Sequence, residues 1–301
     1  MKSCKVLVLN GGGAMGVLET HFLSMLPASK QNLKDVDVLI GASIGGILAA
    51  AYAAGKPFAK IDKAFQEKAK DCFVKRFNAK FNPLACPTYR SDCLEKVVKE
   101  IVGDATLGDV QKIYPGLHVI IPSVNLSDDI YMQFSNFTHK YDHVPLWKLG
   151  MMTSAAPTYY AGQEFEGACY VDSGIIECDP LLTATTMVKK HLGVDFQDQR
   201  VLMIGTGMDR DPTPMPTKRY NSFTKLDVAT EVLSEYACLS NKLFVKQVAD
   251  GLGLGFWNFW NPVNVEGKLD DYKSIPKWIA EADKHKSEFL RVWNEWQDTN
   301  V

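Results

Sequence analysis

Two kinds of apolar pattern divide the chain. Short unbroken apolar runs at 5–9 (KVLVL), 37–40 and 200–204 show no alternation with polar residues, so each reads as a strand buried on both faces of a parallel sheet. Segments with helical spacing lie around them. The first, 17–26, ends at Pro27, and the second, 44–54, is alanine-rich and closes at Gly55. Residues 58–72 put Phe58, Ile61, Phe65 and Ala69 on one side of a polar helix. A helix over 92–102 has Asp92 and Glu95 in capping-box spacing and Gly103 at its end. Helices are also predicted over 146–155, stopping before Pro157, and over 181–192. Residues 117–124 and 130–134 read as a hairpin, and 165–171 as one strand leading into Asp172. Residues 73–89 read as a lid-like loop. Beyond 207 come a Pro-rich loop (209–219), a helical stretch (226–249), the aromatic run FWNFW and a terminal amphipathic helix near 278–296.

The opening order of strand, Gly-rich turn, helix, strand, turn, helix predicts an α/β fold. Right-handed crossovers then place helices on both faces of a central, mostly parallel sheet, giving three α/β/α layers with additional C-terminal helices. The expected organisation is a catalytic core over 1–208, with 209–301 packed on the same domain as a Pro-rich loop and helical extension.

Charge and cysteine content narrow the function classes. Thirty-three basic residues against 35 acidic ones give a net charge of −2, so no polyanion field and no nucleic-acid partner are implied. Seven scattered cysteines contain no C-x-x-C pair, which speaks against a disulfide framework and against zinc, and for a reducing, cytoplasmic setting. The apolar run near the start is too short for a secretory signal, and the most apolar stretch, 41–55, falls short of the ~20 residues that cross a bilayer. A soluble protein is expected, compatible with transient contact at a membrane surface and with a homo-oligomer. The aromatic run at 256–260 fits a core segment better than an interfacial one.

Chemistry concentrates at three places. Gly41-Ala42-Ser43-Ile44-Gly45 falls between a predicted strand and a predicted helix, where a sharp turn exposes a serine hydroxyl beside a helix N-terminus. The competing reading is a small-residue packing turn. Gly11-Gly12-Gly13-Ala14-Met15-Gly16 follows the first strand and offers a row of backbone N–H groups to an oxyanion or a phosphate. Read as a dinucleotide fingerprint, it lacks an acidic residue at the far end of the second strand. An oxyanion hole facing Ser43 fits better. Asp172 ends a strand before Ser173-Gly174, at a sheet edge, with an Asx-turn as the bland alternative. None of the six histidines lies in a context that marks a general base. The alternatives kept open are a Ser43–Asp172–His191 or His285 triad of the α/β-hydrolase type, and a nucleotide-binding module built on Gly11 to Gly16.

These three motifs, in this order, resemble the patatin-like phospholipases. Thr153 to Tyr160 (TSAAPTYY), Asn125-Leu126 and Ile204-Gly205-Thr206-Gly207 are also similar to that family, so the resemblance spans about residues 5 to 207. It implies a Ser–Asp dyad without histidine: Ser43 as nucleophile, Asp172 as proton acceptor, and Gly12, Gly13 and Ala14 as oxyanion donors. It further implies a phospholipid or related acyl-ester substrate, with no metal or cofactor. Control by a partner, a nucleotide or a small-molecule signal is expected, and phage defence is one setting the family permits. Two positions depart from the pattern. Met15 stands where a basic residue is usual, and Ser173 where the family has glycine.

Overall fold

The computed structural model describes residues 3–77, 86–207, 241–265 and 268–298. Within them one eight-stranded sheet carries β1 (Cys4–Leu9), β2 (Val38–Gly41), β3 (His118–Asn125), β4 (Ile130–Ser135), β5 (Gln163–Phe165), β6 (Ala168–Val171), β7 (Gln199–Ile204) and β8 (Phe256–Trp260). Hydrogen-bonded neighbours run β5-β6-β3-β2-β1-β7-β8, and β4 also pairs with β3. Pairings among β3, β2, β1, β7 and β8 are parallel, and those involving β4, β5 and β6 antiparallel.

Both faces of the central strands are buried, which is why their sequences show no alternation. Val6, Val8, Val38, Ile40, Val201 and Met203 pack towards α7 (Leu181–Leu192) and α8 (Asn241–Leu252). Leu7, Leu9, Leu39, Leu202 and Ile204 point the opposite way. There they meet α1 (Val17–Ser24), α2 (Ile44–Ala53), α3 (Phe58–Cys72), α4 (Ser91–Val102) and α6 (Leu146–Thr153). A one-turn helix, α5 (Val110–Ile113), precedes β3.

Three expectations change, and the aromatic run, to which the sequence assigned no element, takes one. Helix α4 starts at Ser91, so Asp92 is not its cap; its carboxylate pairs instead with Arg90 at 2.5 Å. The run 165–171 is not one strand but the hairpin β5–β6, because Glu166 and Gly167 both take positive φ and turn the chain back. The terminal helix is two, α9 (Ile275–Ala282) and α10 (Lys286–Gln297), joined by a 3-10 turn. The aromatic run is β8, an edge strand in parallel register with β7 from Arg200↔Phe256 to Ile204↔Trp260. The Pro-rich loop 209–219 and most of the helical stretch 226–249 lie outside the described residues.

Helix α10 is tied to the sheet by a reciprocal contact. The buried Arg200 guanidinium donates to the carbonyls of Trp296 (3.1 Å) and Glu295 (2.6 Å), and the Trp296 indole N–H donates back to the Arg200 carbonyl at 2.8 Å. Among the described residues no helix is long and apolar enough to cross a membrane.

Candidate active site

The sharp turn between β2 and α2 builds the site. Ser43 has φ 53° and ψ −122°, a conformation that costs a non-glycine residue about 1–3 kcal/mol. A serine at the start of a helix ordinarily caps it with its hydroxyl, but here the side chain makes no cap bond. Its Oγ donates to Asp172 Oδ2 at 2.7 Å. The turn is possible because Gly41 lacks a side chain: a Cβ there would sit 2.0 Å from the Gly45 carbonyl oxygen. Thr153, at the end of α6, accepts the Ser43 N–H at 3.1 Å and fixes the turn from the side.

Asp172 follows β6 and is 4% exposed. Its backbone N–H donates to the Ala155 carbonyl, and its Oδ1 accepts the Gly174 N–H at 2.7 Å, so the carboxylate is held in one orientation. Burial pushes its carboxyl up to about 6, against the opposing hydrogen bonds from Ser43 and Gly174.

The glycine loop approaches from the end of β1. Gly11 donates its N–H to the Cys178 carbonyl (2.8 Å), and its own carbonyl accepts the Thr206 hydroxyl (2.9 Å). Gly12 and Gly13 line the same cavity as Ser43 and Asp172, and their N–H groups have no partner among the described residues. The third expected donor differs. The Ala14 N–H is taken by the Leu269 carbonyl at 2.7 Å, so only two of the three amides are open. Gly16 closes the 3-10 turn that leads into α1. Asp37 lies at the amino end of β2, where it accepts the Lys5 N–H, far from any ribose that the glycine loop could present.

The histidines have partners elsewhere. His21 pairs with Asp62 and Asp283, His139 with Asp142, His143 with Glu166, and His285 with Glu288. His118 and His191 both stack on Phe137. None lines the cavity that holds Ser43. Two cysteines do, Cys72 and Cys178, but burial pushes the Cys72 thiol up to about 12, far from a reactive thiolate. Among the described residues no three His, Cys, Asp or Glu side chains converge as metal ligands would. Most of the remaining cavity wall is apolar, with Phe65 and Ala69 from α3 and Leu94, Val97, Val98 and Ile101 from α4, while Lys68, Ser154 and Thr158 add polar groups.

The family profile described as patatin-like phospholipase matches residues 7–185, more than half of the chain. The chain belongs to the patatin-like phospholipases. A cGAMP-activated phospholipase of Escherichia coli (strain TW11681) is 31% identical over 74% of this chain and 68% of its own. A second protein of that name, from Vibrio cholerae serotype O1, is 28% identical over 67% of this chain and 64% of its own. The chain thus spans about two thirds of the length of these curated relatives. Among solved structures, VipD from Legionella pneumophila aligns over 96% of this chain and 67% of its own at 13% identity, with a TM-score of 0.49.

Within this patatin-like frame, Ser173 has a visible function in place of the usual glycine. Its hydroxyl is 3.1 Å from the Thr153 hydroxyl that accepts the Ser43 N–H, so one threonine bridges the serine turn and the Asp172 turn. Reading the motifs one at a time leaves that bridge unseen. Another unseen feature is Glu19, fully buried on α1, whose Oε1 accepts the Asn10 N–H at 2.5 Å just before the glycine loop. Burial, opposed by that N–H and reinforced by Asp179, holds its carboxyl well above the ordinary range. The only signal in the sequence is an acidic residue inside an apolar helix face.

Proposed function

We propose that the protein is a lipid acyl hydrolase in which Ser43 and Asp172 form a catalytic dyad. The observation that carries this reading is the 2.7 Å hydrogen bond from Ser43 Oγ to a buried carboxylate, made from a strained turn at the polar end of an apolar cavity. An ester carbonyl would lie against Ser43 with its acyl chain along the wall formed by α3 and α4. Asp172 takes the Ser43 hydroxyl proton as Oγ bonds to the carbonyl carbon. Gly12 and Gly13 N–H groups stabilise the oxyanion, each good donor contributing on the order of 3 kcal/mol. Collapse breaks the ester bond, and the leaving alcohol takes the proton from Asp172. Water then gives a proton to Asp172 as it attacks the acyl-enzyme carbonyl, and collapse breaks the bond to Ser43 Oγ, which takes that proton back from Asp172 as the free acid leaves.

A serine facing a bare carboxylate needs a base stronger than an ordinary aspartate, and desolvation supplies part of that strength. With the histidines paired elsewhere, a triad has no support. Neither does a dinucleotide site, because one loop amide is already bonded and the ribose-binding acid is missing.

The test is fatty-acid release from phosphatidylethanolamine–phosphatidylglycerol vesicles in EDTA, with and without cGAMP, the activator in the names of two relatives. We expect release by the wild-type protein, undiminished by EDTA because the chemistry uses backbone donors and a carboxylate, and none by Ser43→Ala. Equal release by a folded Ser43→Ala protein would refute the proposal.

A further inference from the structure

The family profile ends at residue 185, yet a segment far beyond it reaches the glycine loop. The Leu269 carbonyl accepts the Ala14 N–H at 2.7 Å, and Leu269 lines the cavity with Ser43. The contact is backbone against backbone. Gly13 has φ +58°, and a Cβ on it would lie 2.2 Å from the Leu269 oxygen, so the approach requires glycine at that position. The next residue anchors the segment to a cluster of aromatic rings, where the Tyr89 hydroxyl donates to the Asp270 carboxylate. Tyr89 is 2% exposed and packs against Phe73, Tyr159 and Tyr160, which line the cavity. Tyr272 continues the bridge, its ring parallel to that of Phe73 at 6.2 Å.

We infer that Leu269 and Asp270 form a latch that positions the glycine loop, making the C-terminal part of the chain a working component of the active site. The inference rests on the proposed oxyanion role of that loop. The latch engages the one amide the hole does not use and leaves those of Gly12 and Gly13 open beside Ser43. By pinning the turn immediately after them, it fixes the direction in which they point. Small misplacements of such groups carry large rate penalties. The same contact ties the loop to the aromatic wall through the Tyr89–Asp270 bond, so that displacement of either would disturb both. Leu269 and Asp270 act through the loop and are positioning residues.

Substituting a backbone carbonyl is impractical, so the latch is tested at its anchor. Tyr89→Phe and Asp270→Ala each remove the bond, while Asp270→Asn keeps an oxygen able to accept the Tyr89 hydroxyl. The readouts are kcat and KM on a p-nitrophenyl acyl ester, the rate of Ser43 phosphonylation by a small fluorophosphonate, and a thermal melt. We expect Tyr89→Phe and Asp270→Ala to lower kcat and the phosphonylation rate about tenfold with little change in KM. Asp270→Asn should recover most of the loss, and the double variant should be no worse than either single one. Unchanged rates in both variants would reduce the bond to a packing detail and overturn the inference. Faster rates would also overturn it, since the segment would then be holding the site back. Should a variant unfold, the other anchor residue and Asp270→Asn still decide the matter. A wild-type protein unreactive towards the probe would signal failure of the dyad reading instead.

Discussion

In the proposed dyad, Asp172 serves chemistry against stability. Its folded-state pKa of about 6 exceeds the ordinary 3.8, so the folded protein binds the proton more tightly than the unfolded chain. Stability from this group is therefore greatest below about pH 4 and declines as pH rises to about 6. Above that, the ionised, buried carboxylate costs about 3 kcal/mol. In the proposed dyad, activity runs the other way, since only the carboxylate can take the serine proton. We predict that kcat/KM falls as pH drops through about 6, measured on a soluble ester. Asp172→Asn should lose activity about as completely as Ser43→Ala, yet melt higher than wild type at pH 8, with the gain disappearing near pH 4. A melt at pH 8 below wild type would show that hydrogen bonds to the carboxylate outweigh its desolvation. The placement of Ser43 and Asp172 just beyond strand ends was legible in the sequence, because each follows an apolar run that stops abruptly. Thr153 as a bridge was not, because a threonine hydroxyl acquires that function only once two distant turns converge on it.

At the scale of the element, the serine turn depends on its glycines. The parallel register puts Leu9 beside Gly41, bringing the glycine loop and the serine turn to the same edge of the sheet. A Cβ on Gly41 would meet the Gly45 backbone, which cannot rotate away as a side chain could. Gly41→Ala should therefore destabilise the fold by about 3 kcal/mol or more, read by urea unfolding, with activity falling even in the folded fraction. A change under about 0.5 kcal/mol would mean that the turn has slack the geometry does not suggest. The boundaries of α2, α3 and α7 followed from apolar spacing and their flanking glycines and prolines. The hairpin β5–β6 did not, because the positive φ of Glu166 is a feature that acidic residues seldom announce. Helix α4 starts one residue earlier than expected, at Ser91, with Arg90 rather than Asp92 at the cap position.

Across the whole molecule, the part least legible in the sequence is the C-terminal third. The three motifs that carry the family resemblance, with the similar segments around them, end near residue 207, and the residues beyond read as loop and helices. Yet β8 extends the parallel sheet, α10 locks onto β7 through Arg200 and Trp296, and Leu269 touches the glycine loop. Local patterning misses these because each depends on a partner 50 or more residues away. The aromatic run illustrates the difficulty: its alternation is masked because both faces of an edge strand are partly covered here. The fold gathers Ser43, Asp172 and the glycine loop from three separate strand ends, and Leu269 from a fourth segment. On the proposed mechanism Ser43, held by Asp172, is the one activated nucleophile in that cavity. Intact-mass and peptide mass spectrometry after treatment with a fluorophosphonate tests it most directly. A single adduct is expected on Ser43, absent in Ser43→Ala and formed far more slowly in Asp172→Asn. An adduct on any other residue, or one that forms equally fast without the Asp172 carboxylate, would contradict it.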